Sequence, residues 1–218
     1  MCYVTDRRAL AAADREVALI SSIRDAMAAG VDWVQIREKD LPSRDLLRVV
    51  ASAVRAASER GGAEPARVIV NDRLDIALAA GASGVHLGHD SISAAEVARW
   101  CRSGNAPAGF SIGVSCHSLA DAREAEAAGA SYVNFGPVFD TPSKRRFGAP
   151  QGTGKLAEVC SSIRVAVIAI GGVDEKNAVD CLRAGAAGIA AIRLFQQRDG
   201  TAAPADRVAA LHALARRD

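Results

Sequence analysis

Aromatic side chains are scarce in this chain: five Phe, two Trp and two Tyr among 218 residues. Half of the residues are nonetheless apolar, so the core must be aliphatic, built from Ala, Val, Leu and Ile, and it is ample for the length. Strong charge of one sign is also missing. A net charge of +2 argues against a nucleic-acid or anionic-membrane partner. No apolar run reaches transmembrane length, and the start, MCYVTDRRAL, reads as a strand running into a charged turn, not as a signal peptide. The five cysteines (Cys2, Cys101, Cys116, Cys160, Cys181) are odd in number and spread out, without a CxxC pair, which predicts reduced, mostly buried thiols in a cytoplasmic protein. No His, Cys and carboxylate spacing suggests zinc, and no Ser–His–Asp set can be argued from order alone. No linker, low-complexity tract or change of composition marks a domain boundary.

What is present is a repeated phrase. Ala-Ala-Gly-Val-Asp-Trp-Val-Gln-Ile at 28–36 returns as Ala-Ala-Gly-Ala-Ser-Gly-Val-His-Leu at 79–87. It returns again as Ala-Ala-Gly-Ala-Ser-Tyr-Val-Asn-Phe at 127–135 and as Arg-Ala-Gly-Ala-Ala-Gly-Ile-Ala-Ala-Ile at 183–192. Each copy reads as a helix end, a glycine cap and a buried strand. The copies recur about every 50 residues, room for two βα units per period and about eight in all. Further strands fit at 2–5, 67–70, 111–114 and 165–170, with helices at 14–29, 43–60, 73–80, 93–102, 118–128, 153–162, 174–184 and 204–217. Ser118, followed by Asp121, is a candidate helix cap, and Asp174 and Pro204 are candidate helix starts. The expected fold is α/β, one TIM (βα)₈ barrel domain over residues 1–218, with a doubly wound sheet as the alternative.

In such a barrel the active site lies in the loops at the C-terminal ends of the strands. Strand two leads there into Gln35, Arg37, Glu38 and Lys39, strand three into Asn71, Asp72 and Arg73, and strand four into His89, Asp90 and Ser91. Strand five supplies Ser115, Cys116, His117 and Ser118, strand seven Gly171 and Gly172, and strand eight Ile192 and Arg193. After strand six, Gly136-Pro137 opens a long loop carrying Thr141, Ser143, Lys144, Arg145 and Arg146. Alternation points Gln35, Arg37 and Lys39 to one face, and an Arg–Lys pair aimed into a barrel mouth suits a multiply charged anion. Local ion pairing with Glu38, Asp40 or Asp72 is the other reading of the same residues. Asp72 could hold Mg²⁺ or cap the helix that follows it. Gly171-Gly172 ahead of a helix suits a phosphate, or a tight turn. His117 could move a proton near neutral pH or tether a neighbouring loop, while His86, inside a strand, suits core packing. The loop after strand six reads either as phosphate-binding or as a solvated basic segment.

Together these residues resemble the thiamine phosphate synthase and thiazole tautomerase superfamily over nearly the whole length. The motifs are Tyr-Val-Thr-Asp at 3–6, Val-Gln-Ile-Arg-Glu-Lys at 34–39, Val-Asn-Asp at 70–72 and Gly-Val-His-Leu-Gly at 84–88. Gly-Val-Ser-Cys-His-Ser at 113–118, Gly-Pro-Val-Phe-Asp-Thr-Pro-Ser-Lys at 136–144 and Ile-Gly-Gly-Val at 170–173 complete the set. The resemblance implies an enzyme of thiamine biosynthesis that joins hydroxymethylpyrimidine diphosphate to thiazole phosphate, giving thiamine phosphate and pyrophosphate. It implies that Gln35, Arg37, Lys39 and Asn71 hold the pyrimidine diphosphate and that Asp72 ligates Mg²⁺. Ser115 and Lys144 would face the leaving pyrophosphate, and Thr141, Ser143 and the backbone at Gly172 and Ile192 would hold the thiazole phosphate.

Two departures accompany the likeness. The synthase pattern places a second metal aspartate where this chain has Ser91, with Asp90 one position early, and Arg193 follows Ile192 where serine is usual. Asp90 is kept as a candidate metal ligand, and Arg193 as an extra phosphate contact or a pocket filler. Both departures look like the tautomerase branch, which aromatises a thiazole carboxylate phosphate with a histidine acid/base, here His117, and without a metal. The complete Gln35, Arg37, Lys39, Asn71 and Asp72 set favours the synthase, whose Mg²⁺ and cations would offset charge on a leaving diphosphate. A non-catalytic sensor of thiamine phosphates is the third reading. The partners expected are small molecules, with no nucleic acid and no membrane, and a homo-oligomer is left open.

Overall fold

The computed structural model describes residues 1–10, 12–59, 65–141, 149–196 and 204–215. Its strands are β1 (Cys2–Val4), β2 (Trp33–Ile36), β3 (Arg67–Asn71), β4 (Gly84–Leu87), β5 (Ser111–Cys116), β6 (Tyr132–Phe135), β7 (Ala166–Ile170) and β8 (Gly188–Ala191). Its helices are α1 (Arg15–Ala29), α2 (Ser43–Glu59), α3 (Leu74–Ala79), α4 (Ala94–Trp100), α5 (Leu119–Ala127), α6 (Gly152–Ser162), α7 (Ala178–Arg183) and α8 (Pro204–Ala215). Short extra turns of helix cover Arg7–Ala9, Cys101–Asn105 and Arg193–Phe195. The strands follow one another from β1 to β8 in a closed barrel, and every pairing described is parallel: a TIM (βα)₈ barrel.

The repeated phrase builds this order. Gly30, Gly81, Gly129 and Gly185 end α1, α3, α5 and α7 with left-handed φ values of 105°, 70°, 91° and 92°, a conformation that glycine adopts without steric cost. Each turn then enters β2, β4, β6 or β8. β4 and β6 are buried at every residue, as parallel strands covered on both faces must be. Between them α2 shows the complementary pattern. Its buried Leu46, Val49, Val50, Ala53 and Ala57 recur at three- and four-residue spacing, one buried stripe along the helix.

The chain falls into two compact units, Met1–Val85 with Ile192–Arg217 and His86–Ala191. In the first, β2 pairs with β3 so that Gln35 lies opposite Ile69 and Ile36 opposite Val70. In the second, β6 sits between β5 and β7, with Ser115 opposite Asn134 and Asn134 opposite Ile168. The expected cysteine state is found: all five are free thiols, and burial pushes Cys2 and Cys116 up to about 12. Among the described residues no helix is long and apolar enough to cross a membrane.

Helix boundaries match the expectation closely with one exception. Asp174 opens the turn that leads into α7: its carboxylate accepts from the backbone N–H of Lys176 and Asn177 at 2.9 and 3.2 Å, Asn177 Oδ1 accepts from the Asp174 N–H, and the Asp174 carbonyl accepts from Ala178 N at 3.0 Å. The pattern is that of a capping box, although regular helix begins only at Ala178. Ser118 does cap α5, its hydroxyl accepting from the Asp121 N–H at 3.1 Å, while Asp121 accepts from the His117 N–H at 2.8 Å.

Candidate active site

In the first unit the polar strand ends form a linked set. Gln35, 3% exposed on β2, donates from Nε2 to Asn71 Oδ1 at 3.1 Å, and Asn71 Nδ2 donates to Asp72 Oδ2 at 2.7 Å. Asp72 has a left-handed backbone, φ 62°, uncommon outside glycine and tolerated best by Asn and Asp. The cap position of α3 is Arg73, with no side-chain cap bond, and the Asp72 carbonyl accepts from Leu74 N at 3.2 Å. Lys39 Nζ lies 3.8 Å from Asp72 Oδ2, with the two side chains 60% and 34% exposed. An exposed pair of that kind contributes about 0–1 kcal/mol, so either partner is readily given up to a stronger ligand.

The strand ends at Ile36. Glu38 is buried at 5% exposure, where it accepts from Thr5 Oγ1 at 2.7 Å and from Arg7 at 3.0 Å. Arg7 also reaches Asp40 at 2.7 Å, and its guanidinium holds the Asp40 carboxyl well below the usual carboxylate range. The acids near Arg37 are therefore already taken. Arg37 is half-buried, and its guanidinium has no ion-pair partner among the described residues. A cleft of about 240 Å³ is lined by Glu38, Lys39, Asn71, Asp72 and Arg73 together with the apolar Ile36, Leu41 and Leu46.

The second unit is built differently. Ser115 Oγ lies 2.9 Å from His86 Nε2, and His86 Nδ1 lies 3.2 Å from Tyr132 Oη. His86 is buried, but as a hydrogen-bonded bridge between β5 and β6 rather than as plain core packing. Sequence reading placed Ser115 at the site and passed over Tyr132. Gly113 on β5 leaves room for the pair: a Cβ there would stand 2.2 Å from Tyr132 Cζ and 2.6 Å from His86 Nδ1. His117 is exposed and donates from Nδ1 to the Gly136 carbonyl, tying the end of β5 to the end of β6.

At the end of β7, Val138 N bonds to Ile170 O and Phe139 N to Gly171 O, both at 2.9 Å, so the segment after Pro137 continues alongside the strand. A Cβ on Gly172 would lie 2.6 Å from Asp140 O and 2.7 Å from Phe139 O, so only glycine fits. Gly172 lies ahead of the Asp174 turn that leads into α7, and its carbonyl accepts from Asn177 Nδ2 at 3.0 Å. Ser91 Oγ accepts from Gly88 N at 2.6 Å, closing the turn after β4, and Asp90 is exposed beside it. Ile192 is half-buried and Arg193 is exposed; Arg207 Nη1 donates to the Arg193 carbonyl at 3.4 Å. Thr141 is half-buried, whereas Ser143 and Lys144 lie outside the described residues.

Comparison with known proteins agrees with the motifs. The chain is 46% identical over 189 residues to a protein of Geobacter sulfurreducens, covering 87% of this chain and 83% of that one. It is 43% identical over 194 residues to the thiamine-phosphate synthase of Methanoculleus marisnigri, covering 87% and 88%. The thiamine phosphate pyrophosphorylase structure from Pyrococcus furiosus superposes with a TM-score of 0.81 at 28% identity, covering 99% of this chain and 95% of that one. Residues 1–195 match the family model for thiamine monophosphate synthase, and the chain belongs to that family.

Proposed function

We propose that this chain is a cytoplasmic thiamine-phosphate synthase, a transferase that joins hydroxymethylpyrimidine diphosphate to thiazole phosphate and releases pyrophosphate. The observation that carries the reading is Arg37, a half-buried cation without an ion-pair partner among the described residues, two residues before Lys39, whose pair with Asp72 is weak enough to open. A diphosphate supplies what Arg37 lacks.

In this reaction the C–O bond between the pyrimidine methylene and the diphosphate breaks, its electron pair leaving with the pyrophosphate. The thiazole nitrogen then donates its lone pair to the methylene carbon, forming the new C–N bond. Negative charge therefore grows on the departing oxygen, and donors already aimed at it lower the barrier. Arg37 and Lys39 take the diphosphate, Gln35 and Asn71 orient the pyrimidine, and Ser115 with Lys144 meets the leaving oxygens. Thr141, Ser143 and the backbone of Gly172 and Ile192 hold the thiazole phosphate, with Arg193 at its edge, so that nitrogen and methylene face each other.

The donor set fits Mg²⁺. No group of three His, Cys, Asp or Glu side chains converges among the described residues, and Mg²⁺ takes one or two carboxylates plus phosphate oxygens and water. Asp72, oriented by Asn71, would hold it, with Asp90 the candidate second carboxylate. Bound there, the ion would neutralise charge on the diphosphate.

Arg37→Gln tests the reading. It is expected to lower kcat/KM for the pyrimidine diphosphate by about a hundredfold, leaving the melting temperature within a degree or two. Wild-type kcat/KM in that variant would remove the diphosphate from Arg37.

A further inference from the structure

The reaction as described uses Ser115 and leaves unexplained the two buried residues behind it. His86 is 2% exposed in the middle of β4, with its ring nitrogens 2.9 Å from Ser115 Oγ and 3.2 Å from Tyr132 Oη. Its ring and that of Tyr132 lie 5.7 Å apart, tilted by 35°. β5 has no side chain at Gly113, where a Cβ would overlap both rings. The strand sequence thus makes room for a chain running Tyr132, His86, Ser115.

The direction of that chain follows from acid strength. A neutral imidazole has one N–H and one bare nitrogen. Phenol is a far stronger acid than an imidazole N–H, and its oxygen, conjugated with the ring, is a poor acceptor. The favoured arrangement therefore has Tyr132 O–H donating to Nδ1, which leaves the proton on Nε2 to donate to Ser115 Oγ. Ser115 is then an acceptor towards His86 and keeps its own proton for a second partner. In the opposite tautomer Ser115 spends that proton on Nε2 and has only lone pairs to offer, which an anionic leaving group would repel.

We propose that Tyr132 and His86 are positioning residues that commit the Ser115 hydroxyl to donate a hydrogen bond to the departing pyrophosphate. This rests on the assignment of Ser115 to the leaving group made above.

The experiment combines one spectrum with three variants. In long-range ¹H–¹⁵N correlation of the wild-type protein, His86 is expected to carry its proton on Nε2; a proton on Nδ1 overturns the proposal without any mutation. Ser115→Ala should lower kcat about a hundredfold and weaken product inhibition by pyrophosphate. Tyr132→Phe should lower kcat and weaken pyrophosphate inhibition by about tenfold each, the worth of one hydrogen bond, with KM for thiazole phosphate unchanged. The Ser115→Ala/Tyr132→Phe double variant should be no slower than Ser115→Ala alone. Multiplying effects in the double variant, or full activity in Tyr132→Phe, contradict the proposal while leaving the assignment of Ser115 intact. Full activity and normal pyrophosphate inhibition in Ser115→Ala would remove that assignment and the positioning role with it.

Discussion

At the ends of β2 and β3, Lys39 and Asp72 stand 60% and 34% exposed, 3.8 Å apart, with Arg37 half-buried nearby in sequence. On β4, His86 is 2% exposed and joined to two neutral hydroxyls. The first arrangement carries full charges in loosely held pairs, and the second carries none in closely held bonds. Each suits its setting. Exposed ion pairs are cheap to exchange for an incoming polyanion and its cation, whereas a buried polar group must keep its partners or cost about 1–3 kcal/mol. Ligand capture thus falls to residues that can let go, and orientation to residues that cannot.

The charged set is the place to break this comparison with the largest effect. Removal of divalent cations by chelation should cut turnover at least about a hundredfold, with Mg²⁺ restoring it, and Asp72→Asn should raise the Mg²⁺ concentration needed for half-maximal rate. A rate unchanged by chelation would separate Asp72 from any metal. The neutral set should answer in stability instead. Gly113→Ala places a methyl against Tyr132 and His86 and should cost about 1–3 kcal/mol in denaturant unfolding; an unchanged midpoint would show that these rings move aside freely.

The smallest effect lies at Arg7 and Asp40. Hydrogen bonding to Arg7 depresses the Asp40 carboxyl, so its contribution to stability is present above the unfolded value of about 4 and disappears as pH falls below it. Asp40→Asn should therefore lower the melting temperature at neutral pH, and the difference from wild type should shrink steadily as pH falls from about 4 towards 2. A difference undiminished in acid would mean that charge is not what the pair contributes.

The barrel was legible because its signals are local. Gly30, Gly81, Gly129 and Gly185 each cap a helix next to a short, mostly apolar strand, and neither feature needs knowledge of distant residues. The positions of Arg37, Asp72 and Ser115 at strand ends followed from the same count. Two features escaped for a common reason. The start of regular helix at Ala178, one turn after Asp174, depends on how the reciprocal bonds between Asp174 and Asn177 shape the turn between them. The link from His86 to Tyr132 joins residues 46 apart, and depends on the register of β4 and β6 across β5. Pattern tells which residues end a strand, but not which side chains meet across two strands.

The most direct test of the account is one incubation of the purified chain with hydroxymethylpyrimidine diphosphate, thiazole phosphate and Mg²⁺, assayed for pyrophosphate and thiamine phosphate together. The expected result is equal amounts of both, catalytic in protein and dependent on both substrates. No thiamine phosphate at saturating substrate and metal, from protein with an intact melting transition, would contradict it.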